Sequence, residues 1–217
     1  AQLTTYSLSS NGIVRPATTL TLNADQDLMM DTASAILADP QSKINLLSGN
    51  QLTVRGNVTA PAGNIMLALT SSDFDIFRSI WLGPSAQLNA PGSTKRVFTD
   101  SRGKSTGEIL DGGTIQLGRV TFKEGLWSEF TSANAYIITQ SGSKINVNGA
   151  SLPFQYSNST GGSTLLASSG GLIDIRSSLG MLLESSMSGK AISSGKGGTL
   201  NLLLDNVDKN SAKRESL

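Results

Sequence analysis

The chain contains no cysteine and no histidine in 217 residues. The absence of cysteine excludes disulfide bonds, thiolate metal sites and cysteine nucleophiles. The absence of histidine removes the side chain that most often acts as a general base near neutral pH, and also the commonest metal ligand. We therefore expect no catalytic, cofactor-binding or metal-binding residues, and we expect that the chain is not an enzyme.

Charge is also scarce. Charged residues make up 15% of the chain, with a formal net charge of +1, whereas soluble domains average roughly 25%. Binding to nucleic acid or to an anionic membrane surface requires clustered Lys and Arg, and a chain with so few charges and a net charge near zero gives no sign of such a cluster. No apolar run approaches the ~18 residues that a transmembrane helix needs, and the first residues lack the pattern of a signal peptide. We expect no nucleic-acid partner and no membrane span.

Repetition of short strands is what the sequence does contain. Four runs begin with glycine in the form G-x-h-x-h, where h is apolar: 63–67, 113–117, 162–166 with one irregularity, and 198–202. A second phrase occupies 83–92, 141–150 and, more loosely, 41–46. Strands this short bury an apolar face only by stacking on neighbours, so the repetition predicts an all-β solenoid.

The spacing of the strands favours a parallel β-helix over a sandwich, because sandwich strands are typically longer, at about 5–6 residues, and are joined as hairpins. At about 20–25 residues per coil the chain would form roughly eight to ten coils. Residues 20–204 are assigned to this β-helix, 1–19 to an irregular leading segment, and 205–217 to a polar tail that we expect to fray. Residues 25–38 fit either a helix or a strand and turn.

Alternation along the strands predicts which side chains face inward, because successive side chains of a strand point to opposite faces. The residues expected inside are Ile65, Leu67, Leu88, Ile115, Leu117, Ile145, Val147, Ile173, Ile175, Leu200 and Leu202. Those expected outside are Met66, Gln116, Asn146, Asp174 and Asn201.

Three stretches interrupt the repeat and are predicted to be insertions that project as loops: 93–107, 151–161 and 187–197. Such loops often carry the binding surface of a solenoid. The first is basic, and its candidate contact residues are Lys95, Arg96, Arg102 and Lys104. The alternative for this loop is a solvated turn.

Aromatic residues cluster in the middle of the chain and suggest a platform for stacking sugars, since amphipathic rings serve at wet interfaces. The candidate platform is Trp127, Phe130 and Tyr136, with Phe122 beside it and Phe74, Phe77 and Trp81 upstream. The alternative is that these rings pack beneath a loop against the solenoid.

Several phrases in order resemble successive coils of the filamentous haemagglutinin-like large exoproteins. They are 80–90, 107–117, 143–150 and 179–189, the last closing on 197–202, and the resemblance covers about residues 20–204. It implies a right-handed parallel β-helix in an adhesive or structural protein that Gram-negative bacteria secrete to the cell surface through a dedicated outer-membrane transporter, the two-partner secretion route.

The resemblance also implies partners. No Asn-Pro-Asn signature of the secretion domain occurs, so we expect an internal segment whose transporter is recognised by a region outside it. Host or neighbouring-cell surface glycans or proteins, and neighbouring copies end to end, are the other expected partners.

An enzyme is the alternative function, because parallel β-helices include calcium-dependent polysaccharide lyases. Arg176 or Arg55 would then be the base, although each is more simply an outward-facing strand residue. Asp25, Asp27 and Asp31, or Asp73 with Asp75, could offer oxygen atoms to calcium. Neither set has the glycine and glutamate spacing of a calcium loop, which favours solvated turns.

Overall fold

The computed structural model describes residues 16–73, 75–99, 105–123, 126–154, 164–192 and 194–205. Every regular element within these ranges is a β-strand. Accordingly, the described residues include no helix long and apolar enough to cross a membrane. The chain is all-β over the part that the structure describes, as the sequence predicted.

The strands are short and are separated by one- to several-residue corners. In chain order they are β1 (Thr19–Ala24), β2 (Leu28–Met30), β3 (Ala35–Leu37), β4 (Lys43–Ser48), β5 (Leu52–Val54), β6 (Asn57–Thr59), β7 (Asn64–Leu69), β8 (Ser79–Leu82), β9 (Gln87–Asn89), β10 (Ser93–Thr99), β11 (Ser105–Leu110), β12 (Thr114–Lys123), β13 (Leu126–Thr131), β14 (Tyr136–Thr139), β15 (Lys144–Asn146), β16 (Ser151–Phe154), β17 (Thr164–Ala167), β18 (Leu172–Ser177), β19 (Gly180–Leu183), β20 (Ser186–Ser188) and β21 (Thr199–Leu204).

Three parallel sheets organise the chain. Sheet A has the order β1-β4-β7-β12-β18-β21, sheet B has the order β2-β5-β8-β14-β19, and sheet C has the order β3-β6-β9-β15-β20. The chain visits A, B and C in turn and then returns to A beside the strand it left. This path confirms a solenoid-like arrangement of parallel sheets.

The register shows how far the chain advances in each turn. Thr19 lies beside Lys43 and Lys43 beside Asn64, advances of 24 and 21 residues. The next two advances, from Asn64 to Thr114 and on to Leu172, are 50 and 58 residues. The expectation of eight to ten coils is wrong for the described residues, because the first of these turns contains one added antiparallel hairpin and the second contains two.

Two of the added hairpins match two of the three predicted insertions. Strands β10 and β11 pair antiparallel over Ser93–Leu110, and β16 and β17 pair antiparallel over Ser151–Ala167. Both leave the solenoid at the corner between sheets C and A. The third insertion begins later than predicted, because Met187 belongs to β20, and it closes where Gly198 N–H donates to Gly189 O at 2.6 Å.

Two repeat assignments are wrong for one physical reason: period-two alternation looks the same in every strand. Residues 164–167, within the third glycine-led run, form β17 of a hairpin, and the sheet A strand at this level is β18, which follows Gly171. Residues 41–46 contain β4 of sheet A, not a partner of β9 and β15. Residues 25–38 contain β2 and β3, so strand and turn is correct there.

The interior agrees with the predicted alternation in nine of the eleven positions, which are buried in one cluster. Leu200 and Leu202 are exceptions, at 51% and 48% exposed. They lie on β21, which is the last sheet A strand in the described ranges and pairs with β18. Their side chains therefore lack the next layer that buries the equivalent Ile115 and Leu117.

A second apolar cluster lies on the outer face of sheet A. Met66, predicted to face outward, is only 5% exposed and packs with Leu47, Ala68 and Val120, with Phe130 against them. The cover is the antiparallel hairpin of β12 and β13, which the sequence did not reveal. An outward side chain can thus be buried when a hairpin folds back over the sheet.

Candidate functional site

The outer surface of sheet B carries an apolar strip that the inner packing does not explain. The strands of this sheet place one outward residue side by side in consecutive coils. This central row consists of Met29, Thr53, Trp81, Ile138 and Leu182. Met29 is 64% and Leu182 54% exposed, while Trp81 and Ile138 are half-buried. Further outward residues lie on either side of this central row and form two flanking rows. We call the central row and the two flanking rows together the sheet B face.

The central row is held in place by the residues on either side of it in each strand. Leu52 and Val54 flank Thr53, and Ile80 and Leu82 flank Trp81; all four are fully buried in the core. Because alternate residues of a strand point to opposite faces, anchoring these neighbours inward forces the central residue outward. The packing of these neighbours therefore sets the outward direction of the row.

Trp81 has a cation beside its ring. The Arg55 guanidinium lies 5.1 Å from the ring centroid of Trp81. The Arg55 stem passes over Gly83, where an added Cβ would come within 2.9 Å of its Cγ. A cation over an indole is attracted by the ring's quadrupole, so Arg55 holds one side of the indole.

Polar residues flank the central row on both sides. On one side lie Ser79, Tyr136 and Gly180, which are neighbours in register. Tyr136 is 40% exposed, and its ring covers Gly180, where an added Cβ would come 3.0 Å from Cε1. This side of the face therefore offers an aromatic ring with a hydroxyl.

The other flanking row follows the strands by one residue and consists of Asp31, Arg55, Gly83, Gln140 and Glu184. The Asp31 carboxylate accepts a hydrogen bond from Thr32 N–H at 2.7 Å, and that of Glu184 accepts one from Ser141 N–H at 3.3 Å. Both acids are exposed. The face thus combines an apolar strip with planar hydrogen-bonding groups.

The predicted aromatic platform is divided between two sheets. Tyr136 belongs to the sheet B face, whereas Phe130 lies on β13 and packs over the outer face of sheet A. Trp127 lies in β13 opposite Phe122, and its side chain is outside the described part of the structure. Of the upstream rings, Trp81 is on the sheet B face, Phe77 is 84% exposed just before β8, and Phe74 lies outside the described residues.

The basic contact loop is partly a hairpin strand. Lys95 lies opposite Glu108 and Arg96 opposite Gly107 in the β10 and β11 ladder. Arg102 and Lys104 lie outside the described residues. The register therefore places an acidic residue across from the first of the four basic ones.

Arg176, the first candidate base of the enzyme alternative, is engaged in a bidentate ion pair. Its Nε and Nη2 donate to the two oxygens of Asp174 at 2.9 and 2.8 Å, and its guanidinium lies 5.0 Å from the Phe130 ring centroid. The hydrogen bond to Asp174 raises the pKa of Arg176 above its ordinary value. This side chain therefore stays protonated, which does not suit a general base.

The Arg176 and Asp174 pair explains why an acid lies on the outside of sheet A yet is only 3% exposed. Asn201 also donates to Asp174 Oδ1 at 2.8 Å, and Arg176 donates to Phe130 O at 3.2 Å. The pair thus ties β18 to β21 and to the hairpin that covers sheet A.

Replacing Arg176 by leucine should destabilise the protein by about 3 kcal/mol, because it leaves the Asp174 carboxylate buried without its cation. Urea unfolding measures the loss. A second change, Asp174→Asn, made in the Arg176→Leu background should restore most of it. Arg55→Leu is the matched control, since it removes a half-exposed cation–π contact and should cost about 1 kcal/mol or less.

The aspartate sets proposed for calcium have partners within the chain. Asp27 accepts hydrogen bonds from Asn50 and Gln51, and Asp73 and Asp75 each lie 3.9 Å from Arg78. Within the part of the chain that the structure describes, no three or more acidic side chains lie close enough together to hold a metal ion. The arrangement corresponds to hydrogen-bonded turns.

An open cleft of about 460 Å³ lies at the corner between sheets C and A, below the hairpin of β10 and β11. Lys43 and Asp111 line it, together with Gln41 and Ala62, whose φ angles of 64° and 50° are unusual for residues other than glycine. These φ angles serve the stacking of the corners, because Gln41 N–H donates to Pro61 O and Ala62 N–H to Pro91 O. Asp111 accepts from Ser169 N–H at 2.8 Å. The corner amides and Asp111 thus serve the fold, whereas Lys43 is exposed and the buried Asn64 Oδ1 has no hydrogen-bond partner among the described residues.

The sequence did carry a signal for the sheet B face that the alternation analysis passed over. Uninterrupted apolar runs occur in its strands, at 28–30, 80–82, 136–138 and 181–183. A strand with a solvated outer face has a polar residue at the middle of such a run. Four strands of sheet B instead have an apolar residue at the outward position of the run, which indicates that the outer face of the sheet is apolar.

A scan against protein-family models, a search of curated proteins and a search of solved structures found no match to this chain.

Proposed function

We propose that this chain is a structural and adhesive segment of a secreted bacterial cell-surface exoprotein, in which a right-handed parallel β-helix serves as rod and contact surface. Support for the rod comes from the stacking of sheets A, B and C, in which each described strand pairs with its equivalents in the coils before and after it. Support for the right hand comes from the general rule that crossover connections between parallel strands of one sheet are right-handed.

The observation that carries the contact role is the sheet B face. Met29 and Leu182 lie on β2 and β19, the two outermost strands of sheet B, and expose more than half of their surface, although their strand neighbours are packed in or against the core. Exposed apolar strips that polar residues border are typical of interaction surfaces. A rod that only spaced other domains apart would gain nothing from this strip.

The proposed surroundings follow the resemblance to filamentous haemagglutinin-like exoproteins. The rod is secreted through an outer-membrane two-partner secretion transporter, recognised by a region outside this segment, and contacts glycans or proteins of host or neighbouring cells. End-to-end contact with neighbouring copies has one supporting feature, which is the exposure of Leu200 and Leu202 on β21.

The alternative of a polysaccharide-degrading enzyme has less support. The Arg176 guanidinium donates a hydrogen bond to Asp174, and the Arg55 guanidinium lies over the ring of Trp81. A lyase base must instead reach a proton of the substrate and release its own.

A cell-adhesion assay tests the proposal. The purified segment, coupled to fluorescent beads, should attach to a panel of bacterial and animal cells, and the attachment should fall at least tenfold when Met29 and Leu182 are both replaced by serine. Leu165→Ser is the matched control, because Leu165 is 52% exposed on β17, away from sheet B. Absence of attachment to every cell type, or turnover of a polysaccharide, would contradict the proposal. Attachment lost only when residues 93–107 are shortened would move the contact to the hairpin.

A further inference from the structure

We propose that the sheet B face binds a linear, uncharged polysaccharide that lies along the solenoid axis. The inference rests on the proposed contact role and adds to it the chemical class of the ligand. It draws on the shape, the chemistry and the charge of the face.

The shape of the face fits an extended polymer. Neighbouring strands lie about 4.8 Å apart, so a row across five strands is roughly 19 Å long, the length of about four sugar rings. The face is the outer surface of a β-sheet, whereas small molecules bind in concave pockets. A chain of repeating units can instead gain a contact at each coil.

The chemistry of the face fits sugars. A sugar ring has an apolar C–H face and an edge of hydroxyl groups, and aromatic side chains with a polar tip match such amphipathic ligands. Trp81 in the central row and Tyr136 beside it offer rings to the C–H faces. Gln140 and Glu184 lie one residue beyond their strands. The Gln140 amide can donate and accept hydrogen bonds at the hydroxyl edge, and the Glu184 carboxylate can accept them.

The charge of the face excludes acidic ligands. Asp31 and Glu184 are exposed at opposite ends of one flanking row, and Arg55 between them faces the Trp81 ring. The carboxylates would repel sulfated or uronic acid polymers, nucleic acid and anionic lipid headgroups. An uncharged glycan meets no such penalty.

The same acids and the size of the face make a second copy of the chain a poor occupant. If two copies paired these faces about a two-fold axis, Asp31 of one copy would lie either against Glu184 of the other copy or close to the other copy's Asp31. Like charges that face each other in an interface are costly. The face measures roughly 19 Å by 13 Å, a footprint well below the ~800 Å² that each partner buries in a stable protein interface.

Affinity electrophoresis tests the inference. The segment is run through gels that contain hydroxyethylcellulose, barley β-glucan, xylan or amylose, and through gels that contain polygalacturonate or heparin. We expect retardation by at least one neutral polymer and by neither acidic one. Trp81→Ala should raise the dissociation constant about tenfold, the loss of one stacked ring. Leu182→Ser should weaken binding as well, and Leu165→Ser should leave it unchanged.

Fluorescence gives a second readout that does not depend on how stable Trp81→Ala is. The chain has two tryptophans, so Trp127→Phe leaves Trp81 as the only indole. Titration with the retarding polymer should then shift the Trp81 emission to shorter wavelength.

The outcomes separate this inference from the proposed function. Retardation by no neutral polymer, or an unchanged dissociation constant in both Trp81→Ala and Leu182→Ser, would overturn the inference. Retardation by heparin or polygalacturonate that Trp81→Ala abolishes would also overturn it, because the face would then bind an acidic polymer. If beads still attach to cells in those cases, the contact role stands and only the ligand class is wrong. If attachment is also absent, the proposed function fails as well.

Discussion

Replacing Ile145 by aspartate is expected to lower the free energy of unfolding by about 4 kcal/mol or more. Ile145 is fully buried on β15, between Leu88 of the coil before and Met187 of the coil after. The substitution removes an aliphatic side chain from the core and places a carboxylate where nothing can pair with it. Urea unfolding followed by far-ultraviolet circular dichroism measures the change.

The neighbouring residue provides the control for this substitution. Asn146 lies on the outer face of the same strand, is half-buried, and its side-chain oxygen accepts a hydrogen bond from Asn148 N–H at 3.0 Å. Asn146→Asp keeps an acceptor in that place, so we expect a loss below about 1 kcal/mol. Equal losses for the two substitutions would show that the inward and outward faces of β15 are assigned incorrectly.

Gly171→Ala is expected to be nearly as damaging, at about 3 kcal/mol or more, although it adds a single methyl group. An added Cβ would lie 1.9 Å from Gly113 O, in the backbone of the coil before. Gly171 N–H also donates to Val147 O at 2.7 Å across the corner of its own coil, and Leu172 N–H donates to Gly113 O at 2.9 Å, which fixes the distance from the coil before. Backbone atoms cannot move aside as a flexible side chain can, so the coils must separate locally.

Gly197→Ala is the matched control for this experiment. Nothing lies within 4 Å of an added Cβ at Gly197, in the loop between β20 and β21. We expect a change within about 0.5 kcal/mol. A large loss at Gly197, or none at Gly171, would contradict the close stacking of the glycine corners. Differential scanning calorimetry of both variants and the parent chain supplies the comparison.

Local sequence patterns predicted the strands and the interior well because both depend on neighbouring residues. The alternation that buries Ile65 and Leu67 on β7 is visible in the strand itself. An insertion at residues 93–107 was also predicted, since they interrupt the repeat, although the antiparallel pairing of β10 and β11 within it was not. Each of these features depends on fewer than about 20 consecutive residues, the range over which period and turn signals act.

The features that were missed depend on which strands become neighbours. Alternation does not reveal whether a strand such as β17 joins a parallel sheet or a hairpin, because side chains alternate in both. The sheet B face needs the registers of five coils at once, with Trp81 beside Ile138 across an inserted hairpin. Burial of Met66 on the outer face likewise depends on β13 folding back.

The parallel register of sheet A is the central claim, since the rod and its outer faces both follow from it, and distances between spin labels test it most directly. The chain has no native cysteine, so spin labels attach only at introduced ones. The first variant combines Thr19→Cys with Thr199→Cys, and the second combines Lys43→Cys with Thr199→Cys. All three sites are exposed and lie at the start of β1, β4 and β21. The register places five strand spacings between the first pair and four between the second. Double electron–electron resonance should therefore give about 24 Å for the first pair and about 19 Å for the second, at about 4.8 Å per strand. Distances that are equal for the two pairs, or that reverse their order, would contradict the solenoid.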